Sequence, residues 1–286
     1  MDSSKFVIIG AHGQLGLALQ TQYPTARAVD SDALDITSEY AVKAFDWTGV
    51  THILNAAAYT NVDGAETEGR STAWAVNAAA LANLSSVAQA NNITLVHIST
   101  DYVFDGTTPL HTETEPLSPL SVYGASKAAG DLLVSQTAKH YILRTSWVIG
   151  DGKNFVKTMI SLAEKNISPT VVHDQVGRLT FTSELVRAIY HLISTNAPYG
   201  TYNVSNEGDS ASWSDITRVI FTDLGRDDLT VSNTTTEEYF KGKDGIAPRP
   251  LQSTLDLSKI QSTGFESIDW REDLKQYVSN ELTKNV

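Results

Sequence analysis

Short, apolar runs of β type alternate with helix-length segments through the first half of the chain, and this alternation decides the fold class. Phe6-Val7-Ile8-Ile9, residues 26–30, Thr51-His52-Ile53-Leu54-Asn55, residues 94–99 and Tyr141-Ile142-Leu143-Arg144 read as strands. Helical patterns occupy 14–22, 72–90 and 123–137 between them. Strands joined by crossovers of helix length pair in parallel, with helices on both faces, so residues 1–150 are expected to form a doubly wound parallel α/β domain. Beyond Gly150 the alternation loosens. Residues 154–165 and 182–194 read as helices, the second with Thr182 as N-cap, and Ser212-Trp213-Ser214-Asp215 reads as a capping box before a helix over 216–224. A closing helix is expected over 270–282. Residues 201–204 are expected to rejoin the first sheet, whereas 232–236 and 242–250 read as loops. The expectation is a smaller mixed α/β domain over 151–286, built from insertions and the C-terminal part, with segments near 172–206 returning to the first.

Composition narrows the chemistry. The 286 residues contain no cysteine, which excludes disulfides, thiolate ligands and a thiol nucleophile. No apolar run approaches ~18 residues, and the Met1-Asp2-Ser3-Ser4-Lys5 start lacks the apolar region of a secretory signal, so a soluble cytoplasmic protein is expected. With 33 acidic against 21 basic residues the formal charge is −12, which argues against nucleic-acid and membrane partners. Small anionic ligands held by a few local groups remain open. The seven histidines show no paired spacing on one helix, and neither a Gly-x-Ser-x-Gly elbow nor a GxxxxGK[ST] loop occurs.

Gly10-Ala11-His12-Gly13-Gln14-Leu15-Gly16 is GxxGxxG, set between the first strand and the first helix. Lacking side chains, such a turn lets a diphosphate approach the amides of the helix N-terminus; a tight strand-to-helix turn without ligand has the same pattern. Asp30 ends the second strand, where a carboxylate can accept from adenosine ribose hydroxyls; a solvated loop acid has the same placement. Ser31 and Asp32 follow it in place of Arg or Lys, which leans towards NADH over NADPH. Asp35-Ile36 is placed where it could flank the adenine, and a strand-to-helix connection explains it equally well; Asn55-Ala56-Ala57-Ala58 ends the third strand with small residues, which suit either a close-lying cofactor or close helix packing. Tyr123 and Lys127 stand at i and i+4, on one helix face. A nearby ammonium favours phenolate, so such a tyrosine can pass a proton nearer neutral pH, as hydride delivery to a ketone requires. Thr100 offers a hydroxyl at the carboxyl edge of the sheet, where ligands of open α/β folds bind.

Together these residues resemble the extended short-chain dehydrogenase/reductase family over essentially the whole chain. Residues 55–63 (NAAAYTNVD), 99–106 (STDYVFDG) and 144–148 (RTSWV) look like its dTDP-4-dehydrorhamnose reductase branch. The resemblance implies a Rossmann-type domain, NADPH or NADH as cofactor, and reduction of the C4 ketone of dTDP-4-dehydro-L-rhamnose to dTDP-L-rhamnose. It implies Tyr123 as general acid, Lys127 as its tuner and a contact to the nicotinamide ribose, and Thr100 as orienter of the ketone. Gly10, Gly13, Gln14, Leu15, Gly16 and Asp30 would bind cofactor, with Asp35, Ile36, Ala58, Tyr59 and Thr60 lining the rest of its groove. Thr100, Asp101, Trp147 and Arg249 would touch the nucleotide sugar. Some members form a metal-bridged dimer through an acidic residue of the first helix; Ala18 stands there, so no metal is expected, and a monomer or weak homodimer is. Gly177-Arg178-Leu179-Thr180 replaces the usual Gly-x-Pro-Thr, and Ile98 stands where some relatives have an aromatic residue. Two other readings stay open: a non-catalytic dinucleotide-binding regulatory subunit, and an epimerase or reductase of another nucleotide sugar.

Overall fold

The computed structural model describes residues 1–284. Strands β1 (Phe6–Ile9), β2 (Arg27–Val29), β3 (His52–Asn55), β4 (Thr94–Thr100) and β5 (His140–Thr145) alternate with α1 (Gln14–Gln22), α2 (Glu39–Ala44), α3 (Arg70–Trp74), α4 (Ala80–Ala90) and α5 (Val122–Ser135). A π-helical turn, Ala75–Ala79, joins α3 to α4. Then follow β6 (Val148–Ile149), α6 (Phe155–Glu164), β7 (Thr170–Val172), β8 (Val176–Gly177), β9 (Thr180–Phe181), α7 (Thr182–Ser194) and β10 (Gly200–Asn203). The chain closes with β11 (Ala211–Ser212), α8 (Trp213–Asp223), β12 (Ser232–Thr234), α9 (Thr236–Phe240), α10 (Ser258–Gln261) and α11 (Trp270–Lys284).

Six strands form one parallel sheet in the order β10-β5-β4-β3-β1-β2. The order reverses between β1 and β3, and a crevice opens at the carboxyl ends of the strands at such a point. Alternation of side chains explains the two covered faces: Phe6 and Ile8 of β1 pack with Leu19 of α1 and Leu185 and Ile189 of α7, whereas Val7 and Ile9 pack with Leu81 and Leu84 of α4. A further core joins Val156 and Ile160 of α6 with Ile216 and Ile220 of α8 and Trp270 and Leu274 of α11. None of the described helices is long and apolar enough to cross a membrane.

Three local expectations change. Ser232–Thr234 is not loop but a strand that pairs in parallel with β7; the pairing is through backbone groups, so Ser-Asn-Thr carries no apolar signature of it. Thr182 is the first residue of α7; Phe181, still paired in β9, is its N-cap and, having no polar side-chain atom, makes no capping bond. Besides the return of α7 and β10, Leu257, Ile260 and Phe265 also pack into the first core, beyond the 172–206 stretch. The capping box forms as read: Ser212 Oγ accepts from Asp215 N and the Asp215 carboxylate accepts from Ser212 N.

Candidate active site

The glycine turn is built around contacts no side chain would permit. Gly10 has φ +82°, and a Cβ there would lie 2.6 Å from Ala57 N; a Cβ at Gly16 would lie 2.1 Å from Gly10 O. At Gly13 the nearest atom to such a Cβ is Gly10 O at 3.4 Å, so this position is open. Gly13 caps α1 without any side-chain bond, leaving the first amides of the helix facing outward. Asp30 fastens the turn to the end of β2: its carboxylate accepts from His12 N (3.0 Å) and Ser31 N (2.8 Å), and these bonds hold its pKa below the ordinary aspartate value.

Two adjoining cavities flank Gly13 along the carboxyl edge of the sheet. The smaller, about 300 Å³, is lined by Gly10, Asp30, Asp35, Ile36 and Ala58 among others. The larger, about 630 Å³, runs from Gly13, Gln14 and Leu15 past Ala58 and Thr60 to Thr100, Asp101, Tyr123, Lys127 and Trp147. Gly16, Tyr59 and Arg249 line neither. Gly16 is occupied by close helix-to-turn packing. Tyr59 turns its hydroxyl towards Gly64 and Gly69, where a Cβ would come within 2.7 and 1.8 Å of it. The Arg249 guanidinium forms a bidentate pair with Asp63, at 2.6 and 2.9 Å, and holds the Asp63 carboxyl below its usual range.

Tyr123 and Lys127 are aimed by the rigid packing of α5. Ser121 caps the helix, accepting from Gly124 N at 3.0 Å, and Gly124 lets it approach the turn after β4, where a Cβ would lie 2.2 Å from Tyr102 O. The buried Asn77 side chain, on the π-helical turn, accepts from Tyr59 N (2.9 Å) and donates to Ser126 Oγ (3.0 Å), and Ser126 Oγ donates to Tyr123 O (2.7 Å). One amide thus ties the loop after β3 to the helix carrying Tyr123.

The electrostatics follow from burial. Tyr123 is 9% exposed and its phenol is pushed up by desolvation, with Thr100 drawing it down and Asp101 and Asp131 adding to the rise. Lys127 is 2% exposed and burial pushes its amine down to about 8, against the pull of Asp131. Its Nζ donates to Ile98 O at 2.6 Å and lies 3.3 Å from His97 Nε2. Asp101 accepts from Thr100 Oγ1 at 2.9 Å, and burial lifts its carboxyl to about 6.

Trp147 has φ +46°, a left-handed backbone that an aromatic residue rarely adopts, and its ring stacks on Trp213 at 3.7 Å between centroids. A Cβ on Gly177 would meet that ring at 3.1 Å. Arg178 is buried, and its guanidinium donates to Leu255 O. Sequence reasoning missed Thr145, paired in register with Thr100 across β4 and β5. Its buried Oγ1, like Gln14 Oε1, has no partner among the described residues, and both residues line the larger cavity. Its place at a strand's carboxyl end was the available signal. No group of three or more His, Cys, Asp or Glu side chains able to hold a metal occurs among the described residues.

The RmlD substrate-binding-domain family matches residues 4–283. A dTDP-4-dehydrorhamnose reductase of Aggregatibacter actinomycetemcomitans is 37% identical over 95% of this chain and 97% of its own. The solved structure of a dTDP-4-dehydrorhamnose reductase from Clostridium acetobutylicum superimposes with a TM-score of 0.89 at 37% identity, covering 97% of this chain and 99% of that one. That of the Bacillus anthracis enzyme, in complex with NADP, gives 0.87 at 36% identity over 96% and 98%. By sequence and by architecture, the chain belongs to the dTDP-4-dehydrorhamnose reductase family.

Proposed function

We propose that the protein reduces the C4 ketone of dTDP-4-dehydro-L-rhamnose to dTDP-L-rhamnose with NADPH or NADH. The observation that carries this reading is convergence: Thr100, Tyr123 and Lys127 meet in one cavity whose other end is the open glycine turn. The residues fit a dinucleotide, since Gly13 leaves space for a diphosphate against uncapped amides, and Gln14 Oε1 and Thr145 Oγ1 lack partners. Bound there, the nicotinamide supplies the hydride. The chain supplies the rest. Tyr123, kept protonated by burial, donates its proton to the oxygen on which negative charge develops, and the Thr100 hydroxyl, which donates to Asp101 in this structure, rotates to donate to the same oxygen. Lys127 restores the tyrosine proton. Asp101 accepts from a sugar hydroxyl and Trp147 offers an apolar ring face to the sugar.

Tyr123→Phe tests the assignment. Cofactor oxidation on addition of dTDP-4-dehydrorhamnose should fall by about 10²–10⁴-fold while nucleotide-sugar binding, followed calorimetrically, stays close to that of the parent protein. A Phe variant with near-normal turnover, or a parent protein that does not oxidise the cofactor with this ketone, sinks the reading.

A further inference from the structure

Beneath the cavity, behind Lys127, lies a chain of buried polar groups that the reaction scheme above does not use. His97 on β4 is fully buried and does not line the cavity. Its protonation pattern follows from its neighbours. Asn55 Oδ1 accepts from Ala57 N at 3.2 Å, which turns Asn55 Nδ2 towards His97 Nδ1, also at 3.2 Å. An amide NH₂ only donates, so Nδ1 must offer its lone pair, and a neutral imidazole then carries its proton on Nε2. That Nε2 stands 3.3 Å from Lys127 Nζ.

We propose that His97 is a positioning residue for Lys127: its Nε2–H points at the lysine nitrogen, so that the site favours the neutral amine and Lys127 gives its proton readily to the Tyr123 oxygen. The proposal rests on the reading that Tyr123 and Lys127 move the protons of a ketone reduction. An ammonium has donors only, and an N–H directed at it is repulsive; an amine accepts that same N–H. The bond from Lys127 to Ile98 O, 2.6 Å, is open to both forms and does not discriminate. Among the charged groups around Lys127, Asp131 favours the cation, but Arg144 of β5 engages it, donating to Oδ2 at 2.9 Å. Tyr123 on α5 and Asp101 after β4 face the same cavity, with His12 and Asp151 further along it. Burial acts in the same sense as His97, pressing down the proton affinity of both Lys127 and the imidazole.

The protons balance. The Tyr123 O–H bond breaks as the alkoxide takes the proton, a Lys127 N–H bond breaks as the Tyr123 oxygen takes another, and the resulting amine accepts from His97 Nε2–H until solvent returns a proton to it. The imidazole neither gains nor loses one. His97 acts only by making the amine the better-solvated partner.

Two measurements test this. Nitrogen-15 NMR of the histidine-labelled parent protein near neutral pH should show His97 as the neutral tautomer protonated at Nε2; a proton on Nδ1, or a charged ring, overturns the proposal without reference to activity. The pH profile of kcat/KM for the ketone is then compared for the parent, His97→Leu and His97→Gln. In His97→Leu the alkaline limb should move up by about one pH unit, the tenfold change in proton affinity that one lost contact of ordinary strength gives, with KM little changed. His97→Gln, which keeps an N–H on the lysine side, should restore the parent limb. An unmoved limb in a folded His97→Leu protein, or the same displacement in His97→Gln, overturns the proposal. A parent protein without ketone reductase activity fails the function reading instead, and leaves the tautomer prediction standing.

Discussion

Single glycines of the turn differ by what a methyl group would meet. At Gly16 it meets the Gly10 carbonyl at 2.1 Å and at Gly10 the Ala57 backbone, so both glycines are demanded by the fold itself. At Gly13 the φ is −73° and a methyl group meets nothing closer than 3.4 Å. Gly13→Ala should therefore keep its unfolding free energy within about 1 kcal/mol of the parent, since alanine tolerates this backbone and is only a poorer cap. Its KM for the dinucleotide should rise about tenfold or more, because the methyl group takes the space of a ligand oxygen. Gly16→Ala should instead lose thermal stability outright. Equal effects of the two variants on the melting temperature would refute this division. The GxxGxxG spacing marks all three glycines and cannot say which serves the fold and which the ligand, because that depends on which backbone atoms the folded turn brings close: Gly10 O against Gly16, and the Ala57 backbone against Gly10. The same limit explains Tyr59 and Arg249. Tyr59 sits between two residues that line the cavity, yet its ring points away to Gly64 and Gly69, and Arg249 meets a carboxylate, Asp63, that its own loop sequence does not announce.

Elements whose side chains carry a period were legible, and those held by backbone or by distant partners were not. β1, β3, β4 and β5 each centre on an apolar run (Phe6-Val7-Ile8-Ile9, Ile53-Leu54, Leu95-Val96 and Tyr141-Ile142-Leu143) because helices cover both their faces, and the sequence displays this directly. β12, by contrast, is an exposed Ser-Asn-Thr edge whose partner, β7, lies some sixty residues earlier. α7 shows a further feature invisible to periodicity. Glu184 falls on its apolar face and is fully buried, paired with Arg187 and accepting from Ile268 N at 3.1 Å. Burial raises its carboxyl to about 7 from an ordinary value of 4.5. Between those values the folded state binds a proton that the unfolded state does not, so the contribution of Glu184 is complete below about pH 4.5 and is lost as pH rises through about 7. Glu184→Gln keeps the acceptor for Ile268 and titrates nothing. The melting temperature of Glu184→Gln minus that of the parent should accordingly become more positive from pH about 5 to about 8. A difference independent of pH would show that the carboxyl is not protonated by burial.

At the scale of the whole molecule, charge and site oppose one another. The chain carries a formal −12, while both proposed ligands, a dinucleotide and a dTDP-sugar, carry a diphosphate. The long-range field therefore repels what the cavity holds. The groups proposed to overcome it are local: the uncapped amides that follow Gly13. These two contributions respond differently to salt. Raising ionic strength from about 0.01 to about 0.1 M shortens the screening length from about 30 to about 10 Å, which suppresses the repulsion of distant surface carboxylates but leaves buried contacts nearly untouched. Association of the dinucleotide, followed by stopped-flow fluorescence, should quicken over that range, and its dissociation rate should change little. Nucleic-acid binders with basic faces behave in the opposite way, losing affinity as salt rises, because their attraction is itself long-range. An association rate that falls steadily with salt would mean that a positive field surrounds the cavity despite the net charge. Fast entry would then depend on exposed cations rather than on the amides of the glycine turn.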